Sequence, residues 1–277
     1  MPCNYSLLLH FNDSITATSP VDSSDTSIAC QYNGNAKIRS VGPDNFARKS
    51  SCYFETSSDY VSVADNAAIQ LDGEFIIDFW IKFDVGAVNA TLFSPATASN
   101  NSLELELIQI GTSPAVSYLL LTSKDSLNTS IRYFEKDFVD DQWYHIAITR
   151  DNSNDVRLFL DGTLADGSAT TGGTTSNTWS VNHPYTQSNG MNIGAVGGCI
   201  DEFRIVKGSS FVNEFDSSTS DPYCPVYGCT DPDAYNYNPI ADLIGTIPCI
   251  DTTYWNKADI GVAFKANGLT TASGTSS

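Results

Sequence analysis

Residues 73–83, GEFIIDFWIKF, contain the strand pattern that decides the fold. Phenylalanine and isoleucine occupy positions 75, 77, 79, 81 and 83, and they alternate with Ile76, Asp78, Trp80 and Lys82. Because successive side chains of a strand point to opposite faces, the first set forms one apolar face and the second set a partly polar one. The stretch therefore predicts a long strand with one face in a hydrophobic core, and it leaves open what lies against Asp78 and Trp80.

Strand patterns recur on both sides of this stretch. In DQWYHIAITRDNSNDVRLFLDGTLA, strands at 143–149 and 156–160 flank a polar turn, and Asp161-Gly162 supplies the positive-φ pair of a tight hairpin. Further strand-like runs are LELELIQI, VSYLLLT and MNIGAVGGCIDEFRIVKG. Strands at short intervals with hairpin signals predict an all-β chain folded as two stacked antiparallel sheets.

Composition agrees with an all-β chain and argues against some partners. Hydrophobic residues make up 41% of the 277 residues and charged residues only 17%. The formal net charge of −18 repels phosphate backbones and anionic lipid, so neither nucleic-acid binding nor membrane insertion is expected. No run approaches the ~20 apolar residues of a membrane-spanning helix. The start, MPCNYSLLLHF, lacks the basic leader of a signal peptide, so we expect synthesis in a cytosol without ordinary export.

The seven cysteines are mostly scattered, and their spacing does not suggest a zinc site. Their odd number leaves at least one thiol unpaired. Cys52 and Cys199 lie in strand-like segments, where a buried thiol acts as a small apolar residue.

Acidic and histidine residues give no convincing catalytic set. Glu104 and Glu106 point the same way along LELEL, which resembles the paired acids of jelly-roll glucanases. The third acid of their ExDxxE arrangement is missing, because residues 107–110 are LIQI. No GxSxG elbow occurs, and no cysteine is near in sequence to the histidines, which are His10, His145 and His183. We therefore predict no catalytic residues and no enzymatic activity, with glycoside hydrolysis as the alternative.

Three long segments carry a family resemblance, together with SLLLHFNDS and NGNAKIRS near the start. They are CYFETSSDYVSVADNAAIQLDGEFIIDFWIKF, DDQWYHIAITRDNSNDVRLFLDGTL and MNIGAVGGCIDEFRIVKGSSF. In this order and spacing they resemble the concanavalin A-like, laminin G-like jelly roll, in the variety frequent in bacteriophage and marine microbial proteins. The resemblance implies a two-sheet antiparallel jelly-roll sandwich over residues 1–215. It does not fix a function, since this fold hosts lectins, glucanases, pentraxins and assembly modules.

A second resemblance concerns GCTDPDAYNYNPIADLIGTIPCI at 228–250. It is similar to a Cys-bounded motif of marine bacterial surface proteins and phage structural proteins. The resemblance implies a small module over 222–250 closed by a Cys229–Cys249 disulfide. In a reducing compartment the loop would instead be held by docking. Residues 251–277 are predicted to form a low-complexity or assembly tail.

The jelly-roll resemblance also implies a structural calcium ion at the edge of the sandwich. The aspartate of the family's IDE motif is a frequent ligand and corresponds to Asp201, with Asp13 or Asp59 as companions from loops. The alternative is that Asp201 caps a turn or accepts backbone N–H groups.

Aromatic side chains in loops are the residues predicted to bind a glycan or a protein partner. Trp179 and Tyr185 lie in the Gly/Ser/Thr/Asn-rich segment 167–190, and Tyr235 and Tyr237 lie in the C-terminal motif. The alternative for Trp179 and Tyr185 is that they hold a long loop in place or face a neighbouring subunit.

These patterns lead to the hypothesis of a non-enzymatic virion structural protein of a bacteriophage. We expect a fibre, tail appendage or capsid decoration at the extracellular surface of the particle, a homo-oligomer assembled with other virion proteins. Adhesion to host-surface glycans would then gain strength from the many copies on one particle. The alternatives are a carbohydrate-binding or adhesion module of a marine bacterium and, behind it, a glycoside hydrolase.

Overall fold

The structure, a computed structural model, describes most of the first 210 residues and little of the remainder. The described residues are 5–43, 50–56, 58–84, 89–97, 101–110, 116–124, 127, 129–170, 174–181, 185, 189–194, 197–208 and 210, with the backbone of 227–228 and 243–244. The chain divides into two compact units, Met1–Ser218 and Thr219–Ser277. The domain boundaries predicted from the sequence stay a prediction.

Strands make up nearly all regular structure in the described part of the first unit. A single 3-10 turn, Ala67–Ile69, begins after Asn66, whose side chain accepts a hydrogen bond from the Ala68 N–H. The strands are β1 (Tyr5–Leu9), β2 (Cys30–Asn33), β3 (Lys37–Arg39), β4 (Ser51–Phe54), β5 (Tyr60–Val63), β6 (Phe75–Phe83), β7 (Ala90–Pro95), β8 (Ser102–Ile110), β9 (Val116–Lys124), β10 (Thr129–Glu135), β11 (Trp143–Arg150), β12 (Asp155–Leu160), β13 (Thr163–Leu164), β14 (Gly167–Ser168), β15 (Thr175–Ser176), β16 (Trp179–Ser180), β17 (Met191–Ile193) and β18 (Gly198–Lys207).

The first sheet has β6 at its centre, between β11 and β18. In the described residues its order is β13-β12-β11-β6-β18-β4-β3, with β1 also paired to β18 and β16 to β12. All of these pairings are antiparallel. The predicted DG hairpin joins β12 to β13, where Asp161 and Gly162 have φ of 51° and 78°. Two positive-φ residues in a two-residue loop match the twist of the flanking strands.

The second sheet is also antiparallel, with the order β15-β14-β10-β9-β8-β7-β17-β5-β2 in the described residues. Its long neighbours β8 and β9 pair from Ser102 with Lys124 to Ile110 with Val116. In β8, Leu103, Leu105 and Leu107 belong to the core, so Glu104 and Glu106 point outward. The two sheets therefore pack face to face, as in a sandwich.

Aromatic rings connect the two sheets in the core. Phe79 of β6 stacks on Phe203 of β18 at 5.4 Å between centroids, and both rings meet Phe93 of β7 edge-on. All three side chains are fully buried. The predicted all-β jelly-roll sandwich is thus confirmed, with the alternating phenylalanines of β6 in the core.

In the second unit, the described backbone consists of two short parallel strands, β19 (Tyr227–Gly228) and β20 (Leu243–Ile244). The predicted Cys-bounded module and tail lie largely outside the described residues. Among those residues, no helix is long and apolar enough to cross a membrane.

Cys52 and Cys199 are buried free thiols, as predicted, whereas Cys30 of β2 is a half-buried free thiol. Cys52 and Cys199 lie on adjacent strands, where Cys52 pairs with Ile200 and Cys199 with Tyr53. Their side chains therefore point to opposite faces of the first sheet. Burial raises the pKa of both thiols, so neither is a ready thiolate nucleophile.

Candidate functional site

The outer faces of the two sheets differ in exposure. At the centre of the first sheet, side chains that point away from the core are buried as well, including Ile76, Asp78, Trp80, His145, Ala147, Phe159 and Arg204. On the second sheet, the outward side chains of β8, β9 and β10 are mostly half-exposed. A ligand from solvent can reach only exposed groups, so the outer face of the second sheet is the candidate site among the described residues.

A buried charge cluster occupies the outer face of the first sheet. The Arg204 guanidinium donates to Asp78 Oδ1 from Nε at 2.8 Å and from Nη2, and His145 Nε2 lies 3.3 Å from the same oxygen. Asp78 and His145 are 0% exposed and Arg204 1%. A carboxylate at this depth is tolerated only beside a counter-charge. Arg204 therefore compensates the buried charge of Asp78, and it is the partner that the sequence left open for this carboxylate.

We define the open face as the outward side chains of β8, β9 and β10 with the adjacent Thr91 of β7. Cross-strand pairing arranges these side chains in rows. The three central rows are Glu104–Thr122–Ile131, Glu106–Leu120–Tyr133 and Ile108–Tyr118–Glu135, and Lys124 lies in the row next to the first of them. With strands about 4.8 Å apart and same-face residues about 6.7 Å apart, the rows span roughly 10 Å by 13 Å.

The carboxylates of the open face differ in their surroundings. Lys124 Nζ lies 3.4 Å from Glu104 Oε2, so this lysine is paired with Glu104. Glu106 is flanked by Thr91 on β7 and Leu120 on β9. Burial, and then the charge of Glu104, raise the pKa of Glu106, although Lys124 and a hydrogen bond with the Thr91 side chain oppose the shift. Glu106 is thus a partly desolvated carboxylate with a polar and an apolar neighbour.

Two tyrosines give the open face an aromatic part. The rings of Tyr118 and Tyr133 meet at right angles with centroids 6.1 Å apart, and the Tyr118 hydroxyl lies 3.5 Å from Glu135 Oε2. Tyr118 is buried, whereas Tyr133, Leu120 and Ile131 are half-exposed. The open face therefore offers oxygen acceptors beside accessible apolar surface.

Trp179, predicted to bind a glycan or a partner, lies in the core and not at the surface. It is 7% exposed, and its ring lies 5.7 Å from Phe134 and 5.6 Å from the Arg132 guanidinium. Its strand, β16, pairs with β12. The ring thus has no open face for a sugar, because packing against the sandwich removes it from solvent. The contacts agree with the alternative role, in which Trp179 holds the loop.

Tyr185 is likewise buried, at 0% exposure. Its ring lies edge-on to Phe75 at 6.0 Å and 5.7 Å from the Arg150 guanidinium, and its backbone exchanges two hydrogen bonds with Leu71. Burial raises the pKa of Tyr185 to about 12. This tyrosine too is placed to hold its segment on the sandwich and not to contact a ligand. The other predicted residues, Tyr235, Tyr237, Cys229 and Cys249, lie outside the described residues.

Asp59, a predicted calcium ligand, accepts backbone N–H groups with both carboxylate oxygens. Oδ1 accepts the N–H of Asn35 at 2.8 Å, and Oδ2 accepts those of Glu55 and Thr56 at 2.9 and 2.8 Å. Burial alone would raise the pKa of Asp59, but these hydrogen bonds outweigh it and lower the pKa. Asp59 is therefore a buried anchor for two backbone segments.

The remaining calcium candidates do not assemble a site with Asp59. Asp13 accepts hydrogen bonds from the Val21 N–H at 3.3 Å and the Tyr32 hydroxyl at 3.4 Å. Asp201 is 2% exposed and accepts the Glu202 N–H at 2.9 Å, which agrees with its alternative role. In the part of the chain that the structure describes, no group of three or more His, Cys, Asp or Glu side chains could hold a metal ion. The three predicted aspartates therefore form no such group, and calcium binding stays a prediction.

Asp201→Asn is expected to stabilise the protein at neutral and mildly alkaline pH. Burial, and then the charge of Glu202, raise the pKa of Asp201 well above its ordinary value. A carboxyl with a raised folded-state pKa supports stability below its unfolded-state pKa of about 4, and this support is lost as pH rises through the folded-state pKa. Asparagine keeps the acceptor for Glu202 without this loss. Urea unfolding at several pH values should show the gain of the variant growing from about pH 4 upward.

The opposite result would support the calcium prediction. If Asp201→Asn were less stable at about pH 8, and if calcium stabilised the wild type but not the variant, the carboxylate would be ionised and bound to the ion. Asp25→Asn, at an exposed loop position outside the predicted calcium site, is the control.

From the sequence, Glu104 and Glu106 were considered only as a possible catalytic pair. The apolar and aromatic residues of the open face, Leu120, Ile131 and Tyr133, were not predicted to belong to a site. The available signal was the alternation in β8, where leucines and glutamates take turns. That alternation shows which side of β8 is outward, but not which residues of β9 and β10 stand beside it.

The two antiparallel sheets, packed face to face, place this chain in the class of jelly-roll β-sandwich domains. Residues 55–211 match the family model described as the concanavalin A-like lectin/glucanases superfamily, of the laminin G type. The chain belongs to this family. A comparison with curated proteins found no match.

Several solved structures share the fold at low sequence identity. One is the botulinum neurotoxin serotype D ligand-binding domain in complex with N-acetylneuraminic acid (15% identity, TM-score 0.54, covering 76% of this chain and 48% of that one). Others are the receptor-binding domain of the botulinum neurotoxin C/D mosaic serotype (15%, 0.53, 76% and 49%) and the binding domain of Paraclostridial Mosquitocidal Protein 1 (15%, 0.51, 76% and 50%). The chain thus spans about half the length of these binding domains, and the likeness shows the fold alone.

Proposed function

We propose that this chain is a carbohydrate-binding domain that holds a glycan on the open face and does not transform it. The observation that carries the proposal is the combination of half-exposed Tyr133, Leu120 and Ile131 with the carboxylates of Glu104 and Glu106. A sugar presents apolar C–H surface and hydroxyl donors together. Sites that orient such ligands combine apolar side chains with a few well-placed polar groups.

The comparisons support this class of function. The family name includes lectins, and one structural neighbour was solved in complex with a sugar, N-acetylneuraminic acid. Neither fact assigns a glycan to this chain, whose identity to that neighbour is 15%.

Tyr133→Ala tests the location of the site. Loss of the half-exposed ring should weaken binding to a glycan found by array screening about tenfold, equivalent to about 1.4 kcal/mol. Isothermal titration calorimetry with the full chain would measure the affinity. Tyr60→Ala is the matched control, because Tyr60 is a half-exposed tyrosine of β5, several strands away in the same sheet. Equal affinity of all three proteins would move the site away from the open face, and the absence of binding to any glycan would contradict the function.

We further propose that the domain is displayed in many copies on a bacteriophage particle, as a fibre, tail appendage or capsid decoration subunit. The support is the sequence resemblance to phage and marine microbial proteins. Weak glycan sites become effective when a particle repeats them, since a second contact is intramolecular. Purified particles should contain the protein by mass spectrometry, and light scattering should show the isolated protein as a homo-oligomer. A soluble monomer absent from particles would favour the bacterial module.

Glycoside hydrolysis is the second candidate, and one observation favours it. Glu104 and Glu106 lie two residues apart on one face, and the pKa of Glu106 is raised beside a carboxylate paired with Lys124. Divided roles of this kind are typical of the acid and its partner in glycosidases. A reducing-sugar assay on the bound glycan should show no release. Release by the wild type that Glu106→Gln abolishes would replace the binding proposal with the enzymatic one.

A further inference from the structure

We infer that the open face selects glycans whose sugars carry free amino groups and disfavours acidic glycans. This inference rests on the proposed function and concerns the chemistry of the bound sugar. Three observations support the inference. They are the charges of the open face, the surroundings of Glu106 and the orientation of Arg132.

The open face is acidic after its own ion pair is counted. It carries Glu104, Glu106 and Glu135 against Lys124, and Lys124 lies 3.4 Å from Glu104. Among the described residues of the face, neither Glu106 nor Glu135 forms an ion pair with a basic side chain, although the charge of Lys124 is felt by Glu106. The chain as a whole has a formal net charge of −18. Both the local and the long-range field therefore attract a cationic ligand and repel an anionic one.

Glu106 is the carboxylate that would gain most from a cation. It is half-buried between Thr91 and Leu120, so it is already partly removed from water. The charge of Lys124 acts on it, but the ion pair of Lys124 is with Glu104. An ammonium group that reached it would form a charge-assisted hydrogen bond in a medium less polar than water, where such bonds are stronger. A neutral acetamido group at the same place would donate a hydrogen bond to the carboxylate without the attraction between two opposite charges.

The position of Glu106 also suits a sugar held on the aromatic part of the face. Glu106, Leu120 and Tyr133 form one cross-strand row, which places the α-carbons of Glu106 and Tyr133 about 10 Å apart. A sugar ring over Leu120 and Tyr133 would thus turn one edge toward Glu106. Amino substituents at that edge would be within reach of the carboxylate, and hydroxyls elsewhere on the ring would face the neighbouring row, which contains Glu104.

An acidic sugar lacks a suitable partner on the described open face. Arg132 lies between Ile131 and Tyr133 in sequence, but it points to the other side of the sheet, where its guanidinium packs over Trp179 at 5.6 Å. A guanidinium is the group that best pairs with a carboxylate or sulfate. Since the arginine of β10 is turned inward and the lysine of the face is already paired, N-acetylneuraminic acid would meet glutamates instead.

The test measures how tightly the full chain binds three classes of oligosaccharide, by titration calorimetry. The pH is kept between about 6 and 7, where the amino group of a sugar, like an α-amino group, is largely protonated. The probes are glucosamine oligomers, N-acetylglucosamine oligomers of the same length, and sialylated oligosaccharides. We expect the glucosamine oligomer to bind about tenfold more tightly than its acetylated counterpart. Its affinity should fall as salt rises, and the sialylated probe should bind most weakly.

Glu106→Gln should lower the affinity for the glucosamine oligomer about tenfold and that for the acetylated oligomer only about twofold, so that most of the preference disappears. Glu55→Gln, an exposed glutamate after β4, is the matched control and should keep the preference. Tighter binding of the sialylated probe, or an unchanged preference in Glu106→Gln, would overturn the inference while leaving carbohydrate binding intact. Failure to bind oligosaccharides of all classes would instead overturn the proposed function.

Discussion

Arg204→Met is expected to lower the free energy of unfolding by about 3–5 kcal/mol, the usual effect of removing one partner of a buried ion pair. Arg204 supplies both guanidinium hydrogen bonds to Asp78 Oδ1, and both side chains are essentially inaccessible to water. Methionine has a similar length but no charge, so Asp78 would remain as a buried carboxylate beside His145 alone. Chemical denaturation monitored by tryptophan fluorescence would measure the change.

The double variant Asp78→Leu/Arg204→Met separates the effect of charge from that of packing. Because it removes both charges and keeps apolar volume, it should recover most of the loss, as replacements of buried pairs by hydrophobic residues commonly do. If the double variant were as unstable as Arg204→Met, shape and not the uncompensated charge would explain the first result. If Arg204→Met retained wild-type stability, Asp78 would not depend on this guanidinium.

Trp179→Ala is expected to cost about 3–5 kcal/mol, because it removes a large ring from a packed core. The ring lies against Phe134 and Arg132, and β16 is joined to β12 by the pairing of Trp179 with Val156. The loss should concentrate in the residues that Trp179 holds in place. Hydrogen exchange should therefore increase most strongly in residues 174–181, with smaller changes in β6 and β11.

Trp143→Ala is the matched control for this prediction. Trp143 is half-exposed at the beginning of β11, and its replacement should cost clearly less than that of Trp179. A Trp179→Ala variant with unchanged stability and weaker glycan binding would contradict the buried role and restore the binding role predicted from the sequence. Equal losses at Trp143 and Trp179 would show that burial does not decide the effect.

The two outer sheet faces suggest a division of roles. The central strands of the first sheet are buried on both faces and carry the charge cluster of Asp78, His145 and Arg204, which suits a rigid support. The second sheet turns half-exposed polar and apolar side chains outward from regular strands. Side chains on paired strands are held in fixed relative positions, which favours recognition with little ordering cost on binding.

The sequence alone determined the fold class and the inward side of the main strands. In β6 and β8 the period of two is regular, so the phenylalanines of β6 and the leucines of β8 could be assigned to the core from their order. The DG pair set the β12–β13 turn because few residues adopt positive φ at both positions. Both signals come from residues that are adjacent in sequence. They can therefore be recognised without knowing the register between strands.

The tertiary structure decided the environment of the outward side chains. A bulge in β18 separates Asp201, which pairs with Trp80, from Arg204, which pairs with Asp78, and Glu202 within it has φ of 50°. In a regular strand Asp201 and Arg204, which are three residues apart, would point to opposite faces, and Asp78 would lose its counter-charge; the bulge places both on the same face. Likewise, the burial of Trp179 and Tyr185 and the alignment of Glu106 with Tyr133 depend on contacts between distant segments. Periodicity fixes which way a side chain points within its own strand, whereas its neighbours are fixed by the register between strands.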